Sequence, residues 1–158
     1  MNVRYFALVM GIVFLLVGVM GFLPPPFVQP ATGDMHNVTV HANHGYLLGI
    51  FPVNALHNAV HLIFGLWGVL AYRSFDGSRA YARSVAVIYA LLAVMGLIPA
   101  GNMNTTFGLI PIHGNDVWLH AAIALVAAFF GFAPARDTVG DRAVVTDAGT
   151  TGTASTLR

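Results

Sequence analysis

Long apolar stretches alternate with short polar connections along the chain. Four such stretches stand out, at residues 5–23, 53–72, 81–98 and 117–133. Each reaches or approaches the roughly 17 to 25 residues that a helix needs to cross about 30 Å of hydrocarbon. The pattern predicts an all-α membrane protein, with one domain of four transmembrane helices over residues 1–134.

The basic residues indicate how these helices are oriented. Every basic residue is an arginine, and with four spans they all fall on one side: Arg4, Arg73, Arg79, Arg83, Arg136, Arg142 and Arg158. The positive-inside rule then predicts that both termini are cytoplasmic. Arginine without lysine, among abundant alanine and glycine, is typical of a high-GC bacterium, so we expect a bacterial inner membrane. Residues 135–158 are rich in Thr, Gly and Asp, which predicts a disordered cytoplasmic tail.

The two halves of the chain resemble each other. Residues 49–66 align with residues 108–125 at a fixed offset. Four identical pairs coincide: Gly49 with Gly108, Pro52 with Pro111, His61 with His120, and Leu66 with Leu125. The repeat predicts two tandem helical hairpins that share one orientation, related by a pseudo-twofold axis along the membrane normal. Because proline is favoured in a first helical turn, we expect the second and fourth helices to start at Pro52 and Pro111.

Composition narrows the functional classes. Hydrophobic residues make up 57% of the chain and charged residues 8%, with a mean hydropathy of +0.74. The net charge of +1 is too small to attract nucleic acid electrostatically, so nucleic-acid binding is not a leading interpretation. The absence of cysteine excludes disulfides, thiolate metal sites and thiol nucleophiles. No dedicated nucleophile is evident, so an enzyme is the least supported class.

Polar residues form a stripe on the second predicted helix. They recur with small residues at spacings of three and four: Asn54, His57, Asn58, His61, Gly65 and Gly68. Asp116 and His120 form a similar pair on the fourth helix. A stripe facing lipid would be costly, so we expect both groups to face the interior. Counted from the helix starts, His57 and Asp116 would lie roughly 6 Å deep and the other two histidines roughly 12 Å deep.

This stripe suggests a metal site. If the two hairpins are related by symmetry, His57, His61, Asp116 and His120 converge in a pocket open to the outer side. Three imidazoles and a carboxylate suit zinc, copper or non-haem iron. We therefore hypothesise a transition-metal site with these four residues as ligands.

Three other interpretations stay open. In the first, the stripe only fixes helix packing in a structural or accessory membrane protein, through hydrogen bonds worth about 0.6 kcal/mol each. In the second, His61 and His120 ligate a b-type haem, although the outer loops hold no Arg or Lys for its propionates. The third is transport, for which no half-helix break or gating charge pair is visible.

Partners are predicted from the small residues and the loops. Alanines and glycines four apart, as at Ala7 and Gly11, allow close helix packing and a homo-oligomer or larger membrane complex within the lipid bilayer. The first outer loop, residues 24–51, is too long for a simple connection, so we expect it to be functional or disordered.

Several segments also resemble a known family. They are residues 1–11, residues 49–68, Asn104–Gly108 and Gly114–His120. Together they resemble the bacterial membrane proteins grouped as domain of unknown function 4383, over roughly residues 1–133. The resemblance implies an integral membrane protein with four helices, and it carries no activity or catalytic role.

Overall fold

The structure is a computed structural model that describes residues 2–31 and 37–134. It is mostly helical, with four long helices: α1 (Val3–Met20), α2 (Ala55–Ala71), α3 (Phe75–Gly96) and α4 (Asn115–Phe132). Three short strands lie between α1 and α2: β1 (Val28–Pro30), β2 (Gly45–Leu47) and β3 (Phe51–Val53). A short 3-10 helix, Ala100–Thr105, connects α3 to α4. The predicted tail, residues 135–158, lies outside the described residues.

The helices match the four predicted apolar stretches in position. Three of them, α1, α3 and α4, contain 18, 22 and 18 residues and are long and apolar enough to cross a membrane. Helix α2 is also apolar but has 17 residues, or roughly 25 Å at 1.5 Å per residue. Each helix exposes large apolar side chains, for example Leu16, Ile63, Leu91 and Phe129. Such outer surfaces fit an apolar environment.

Helix α3 begins six residues before the predicted apolar stretch. Ser74 caps its N-terminus, with its hydroxyl oxygen accepting a hydrogen bond from the Gly77 amide at 3.0 Å. Asp76 follows in the first turn, where a carboxylate interacts favourably with the helix dipole. This first turn is polar, so a search for apolar residues misses it.

The expectation that α2 and α4 start at their prolines is wrong. Pro52 belongs to strand β3, and α2 begins at Ala55 after Asn54, whose side chain caps the helix. Helix α4 begins at Asn115, after Gly114 with a φ of 66°. Proline is compatible with extended backbone as well as with a first helical turn. In α2 the side chain of Asn54 caps the first turn, whereas α4 begins after Gly114 without a side-chain cap.

The segment between α1 and α2, predicted as the first outer loop, contains an antiparallel sheet in the order β1-β2-β3. Tyr46 in the central strand pairs with Gln29 on one side and with Pro52 on the other. Leu47 in β2 and Val53 in β3 are buried. The sheet therefore fixes the backbone that leads into α2.

Helix α1 packs mainly on α2, and α3 packs mainly on α4. The α1–α2 crossing is close because it is built from glycines, as the small-residue spacing predicts for Gly11. A Cβ at Gly11 would lie 2.6 Å from the amide nitrogen of Val69, and one at Gly68 would lie 2.8 Å from the carbonyl oxygen of Ala7. This crossing therefore tolerates no side chain at either glycine.

The predicted repeat extends to burial and backbone conformation. In the second helices the buried residues pair at the same offset: His57 with Asp116, Asn58 with Val117, His61 with His120, Gly65 with Ala124, and Gly68 with Ala127. Before these helices, Leu48–Gly49 and Phe107–Gly108 both adopt positive φ. Left-handed backbone is uncommon for leucine and phenylalanine, so its recurrence marks the same turn in both halves.

Candidate functional site

Asn54, just before α2, forms side-chain hydrogen bonds to three separate segments of the chain. Its side-chain oxygen accepts a hydrogen bond from the His57 amide at 2.9 Å and so caps α2. Its amide nitrogen donates to the carbonyl oxygens of Val40, at 3.2 Å, and Leu109, at 2.8 Å. Asn54 is fully buried. It therefore joins the loops of both halves of the chain to the first turn of α2.

His57 is oriented by a backbone carbonyl. Its Nδ1 lies 3.2 Å from the carbonyl oxygen of Pro52, which can only accept a hydrogen bond. In the neutral ring, Nδ1 then carries the proton and Nε2 keeps its lone pair. Metal-binding histidines commonly have their second ring nitrogen fixed in this way. The Pro52 carbonyl of strand β3 thus leaves Nε2 of His57 as the ring nitrogen that could ligate a metal ion.

Asp116 and His120 reach the same place from α4. Asp116 lies in the first turn of this helix, and His120 lies one turn further along. Together with His57 they offer three ligand atoms that all lie within 4.8 Å of one another. All three residues are buried, with 5%, 3% and 2% exposure for His57, Asp116 and His120. Two imidazoles and one carboxylate form a donor set that suits zinc or non-haem iron.

His61, the fourth predicted ligand, lies beside this group and not within it. Its ring stacks on that of His57, with 4.6 Å between centroids and 23° between planes. The His57 ring also lies 6.4 Å from the His120 ring. We call these four residues the histidine cluster: His57, His61, Asp116 and His120. The structure thus gathers all four predicted residues but brings only three to the spacing of one ion.

Several polar atoms in the cluster have no hydrogen-bond partner among the described residues. They are Nδ1 of His61, Oδ2 of Asp116 and Nδ1 of His120. A buried polar group without a partner costs about 1–3 kcal/mol. The neighbouring Asn58 is different, because its amide nitrogen donates to the carbonyl oxygen of Gly21 at 2.6 Å, although its Oδ1 has no partner. The polar stripe is therefore mixed: both asparagines bind backbone, while the cluster keeps free donor and acceptor capacity.

Aromatic rings enclose the cluster. Phe14 lies 5.6 Å from the His61 ring, and Tyr89 meets the His120 ring edge-on at 5.0 Å. Phe14 and Tyr89 stack on each other at 5.5 Å. They occupy equivalent positions in α1 and α3 when Gly21 is aligned with Gly96. The rings restrict the rotamers of the imidazoles and keep the surroundings of the cluster apolar.

The described arginines lie at the opposite end of the helices. Arg4 donates to the carbonyl oxygen of Tyr72 at 2.8 Å, next to the C-terminus of α2. Arg79 and Arg83 donate to the carbonyl oxygen of Gly131, near the C-terminus of α4, at 3.2 and 2.9 Å. These contacts place cations where the helix dipoles are negative. Within residues 2–31 and 37–134, no arginine approaches the histidine cluster.

The remaining histidines are dispersed. His41 is exposed, His44 and His113 are half-buried, and His36 lies outside the described residues. Burial and the nearby His41 lower the pKa of His44. The sequence did not indicate the Pro52 carbonyl or the aromatic rings at Phe14 and Tyr89. The alignment of α1 with α3 could have found the two rings, since their positions correspond, but nothing in the sequence indicates the carbonyl.

Fold and cluster together define a mostly helical protein whose apolar helices suit a membrane and which buries a His/Asp/His group capable of holding a metal ion. Residues 4–133 match the family described as domain of unknown function (DUF4383), and the chain belongs to that family. No curated protein and no solved structure matches the chain significantly. The family description assigns no activity, so the chemistry of the cluster has to be argued from its geometry.

Proposed function

We propose that this protein is a small inner-membrane protein of bacteria that holds one transition-metal ion inside a bundle of four transmembrane helices. The observation that carries the proposal is the convergence of His57, Asp116 and His120 within 4.8 Å, from two helices, with Asp116 and His120 each keeping an unpartnered polar atom. Three protein ligands leave a coordination position open, as in sites where a metal ion binds a further small ligand. His61 is the nearest additional ligand.

The proposed topology has both termini in the cytoplasm and the cluster towards the outer side. It is supported by the arginines at the ends of α2 and α4, and by the sheet at the end that carries the cluster. The positive-inside rule relates the arginine end to the cytoplasm. In this arrangement α1 with α2 and α3 with α4 form the tandem hairpins, and residues 135–158 extend into the cytoplasm.

Metal analysis of the purified full-length chain tests the proposal. After expression in medium supplemented with zinc, iron and copper, we expect close to one equivalent of metal per chain. His120→Ala and Asp116→Ala should lose it, while His41→Ala, which removes an exposed histidine, should retain it. Circular dichroism of each variant verifies that the helices are intact. Metal at background level in the folded parent protein would contradict the proposal.

A purely structural role is the second candidate, and Asn54 favours it, because its side chain joins both halves of the chain. The two roles differ in their response to metal. A bound ion stabilises the folded state in proportion to the logarithm of its concentration over Kd. With a metal site, added metal raises Tm in the parent protein and not in His120→Leu, whereas a purely structural cluster gives no rise in either.

A b-type haem between His61 and His120 is the remaining alternative. The geometry supports an ion better, because the His57 ring lies 4.6 Å from one of these rings and 6.4 Å from the other. A planar haem between His61 and His120 would have to displace the His57 ring. A Soret band in protein expressed with added haem would favour the haem, and a colourless protein that retains metal would favour the ion.

A further inference from the structure

Two lateral clefts lead to the histidine cluster, one between α1 and α4 and one between α2 and α3. The α1–α4 cleft has a volume of about 190 Å³ and the α2–α3 cleft about 160 Å³. Both are lined by His57, His61, Tyr89 and His120.

The two clefts follow the internal repeat. Val17 and Leu119 line the α1–α4 cleft, and their equivalents Leu92 and Val60 line the other. The wider cleft differs in two ways, since Asp116 lines only this one and strands β2 and β3 contribute Leu47 and Phe51 to its wall. The repeat thus offers two related clefts, of which the α1–α4 cleft is the larger and reaches the carboxylate.

The α1–α4 cleft opens sideways. Val13 on α1 and Leu119 on α4 line it and are exposed, in the part of the helices that we propose to be surrounded by lipid. Helices α1 and α4 contact each other much less than α1 contacts α2. A molecule dissolved in the hydrocarbon layer can therefore reach the cleft without passing through water.

The inner end of the cleft contains polar side-chain atoms that have no hydrogen-bond partner among the described residues. His61, Asp116 and His120 are 8%, 3% and 2% exposed, and each has a polar atom without a partner within the described part of the chain. Imidazole nitrogens and a carboxyl group can together donate to and accept from a hydroxyl, or donate to a carbonyl. The described lining contains no Arg or Lys. An anionic head group beside Asp116 would be buried without a counter-ion, which excludes phospholipids and fatty acids.

We propose that the α1–α4 cleft binds a lipid-soluble molecule with an apolar body and a neutral carbonyl or hydroxyl oxygen at one end. The apolar body lies between α1 and α4, and the oxygen meets the free polar atoms of His61, Asp116 and His120. This proposal shares Asp116 and His120 with the proposed metal site and adds His61, which lies outside the three-residue group. It does not require the metal, because the polar atoms that meet the oxygen belong to the chain itself.

Binding of three matched probes to the full-length chain in phosphatidylcholine nanodiscs tests this. The probes are a benzoquinone with a ten-carbon chain, decylbenzene as its counterpart without oxygen, and decanoic acid. With ¹⁵N-labelled histidine, we expect the quinone to shift the imidazole resonances of His61 and His120 saturably, and to leave those of His41 unchanged. Decylbenzene and decanoic acid should cause no such shifts. Equal shifts with decylbenzene, or shifts that never saturate, would overturn the proposal.

The repeat supplies a matched pair of variants. Val17→Trp fills the α1–α4 cleft, while Leu92→Trp makes the same change at the equivalent position of the other cleft. We expect Val17→Trp to weaken quinone binding by about tenfold or more and Leu92→Trp to change it by less than about twofold. Equal effects of the two variants would show that the probe does not distinguish the clefts and would overturn the assignment.

Running the titration on chelator-treated and on metal-loaded protein separates the two proposals. Quinone binding to chelator-treated protein supports the cleft whatever the outcome of the metal analysis. Metal binding without quinone binding in either sample overturns the cleft proposal and leaves the metal site standing. If the folded parent protein takes up no metal from supplemented medium and still binds the quinone, only the metal site is overturned.

Discussion

The two hairpins bury equivalent positions, yet they differ at the first turn of the second helix. The deeper position is histidine in both, His61 and His120, whereas the shallower one is His57 in α2 and Asp116 in α4. The hairpins therefore carry the same residue at the deeper position and different residues at the shallower one. Their junction brings together imidazole and carboxyl groups, a mixed set that neither hairpin supplies alone.

The surroundings of the differing pair are also unequal. His57 has the Pro52 carbonyl as an acceptor for its Nδ1 proton, while Oδ2 of Asp116 has no partner in the described chain. One residue is thus held in place by the sheet, and the other keeps an oxygen free for a ligand. The comparison suggests that the halves have different tasks, with α2 fixing the site and α4 supplying its carboxyl group.

The largest expected effect comes from making the two halves identical in either direction. His57→Asp should lower metal affinity by at least about tenfold, because it places a second carboxylate in the cluster and points it at the Pro52 carbonyl, which offers no proton. Asp116→His should retain one equivalent of metal, with preference moved from iron towards copper and zinc. Competition between metals, followed by elemental analysis, measures both. Identical behaviour of the two variants would show that the halves are interchangeable.

A smaller effect is expected at the helix crossings. Gly65 in α2 corresponds to Ala124 in α4, and a Cβ at Gly65 would lie 2.7 Å from the amide nitrogen of Leu15. Gly65→Ala should therefore destabilise the protein by about 1–3 kcal/mol. Ala124→Gly should cost about 1 kcal/mol, because it only adds backbone freedom to a helix. Thermal unfolding in one detergent compares them, and a higher Tm for Gly65→Ala would contradict the close crossing.

The smallest effect is expected at the arginine end, where an arginine of each hairpin bonds a carbonyl oxygen at or near the end of the second helix. Arg4 bonds a carbonyl at the end of α2, and Arg83 bonds one near the end of α4. Arg4→Gln and Arg83→Gln should each cost less than about 1 kcal/mol, because these partly exposed contacts act mainly through the helix dipole. Urea titrations at low and high salt measure this, and the difference should shrink at high salt. A cost above about 3 kcal/mol for either would indicate a further role.

Much of this fold was predictable because its dominant signals are local. Runs of apolar residues located the four helices, and the spacing of three and four on α2 placed His57 and His61 on one buried face. The repeat then indicated that Asp116 and His120 occupy corresponding positions. Gathering these four residues required only helix periodicity and the alignment of the two halves.

The features that could not be predicted from the sequence depend on backbone atoms and on contacts between residues that are distant along the chain. The Pro52 carbonyl that orients His57 has no side-chain signature, and the position of Pro52 was itself wrongly assigned to a helix. The sheet consists of three-residue strands, too short for a period-two pattern. The displacement of His61 from the three-residue group depends on ring stacking, which spacing alone does not determine.

The contact between the Pro52 carbonyl and His57 couples the sheet to the site. Local unfolding that separates β3 from β2 frees Pro52 from the position in which its carbonyl holds the His57 imidazole proton. For the proposed metal site, ion exchange should then keep pace with deuterium uptake at the strand amides, with release of a bound ion limited by how often the hairpin of β2 and β3 opens.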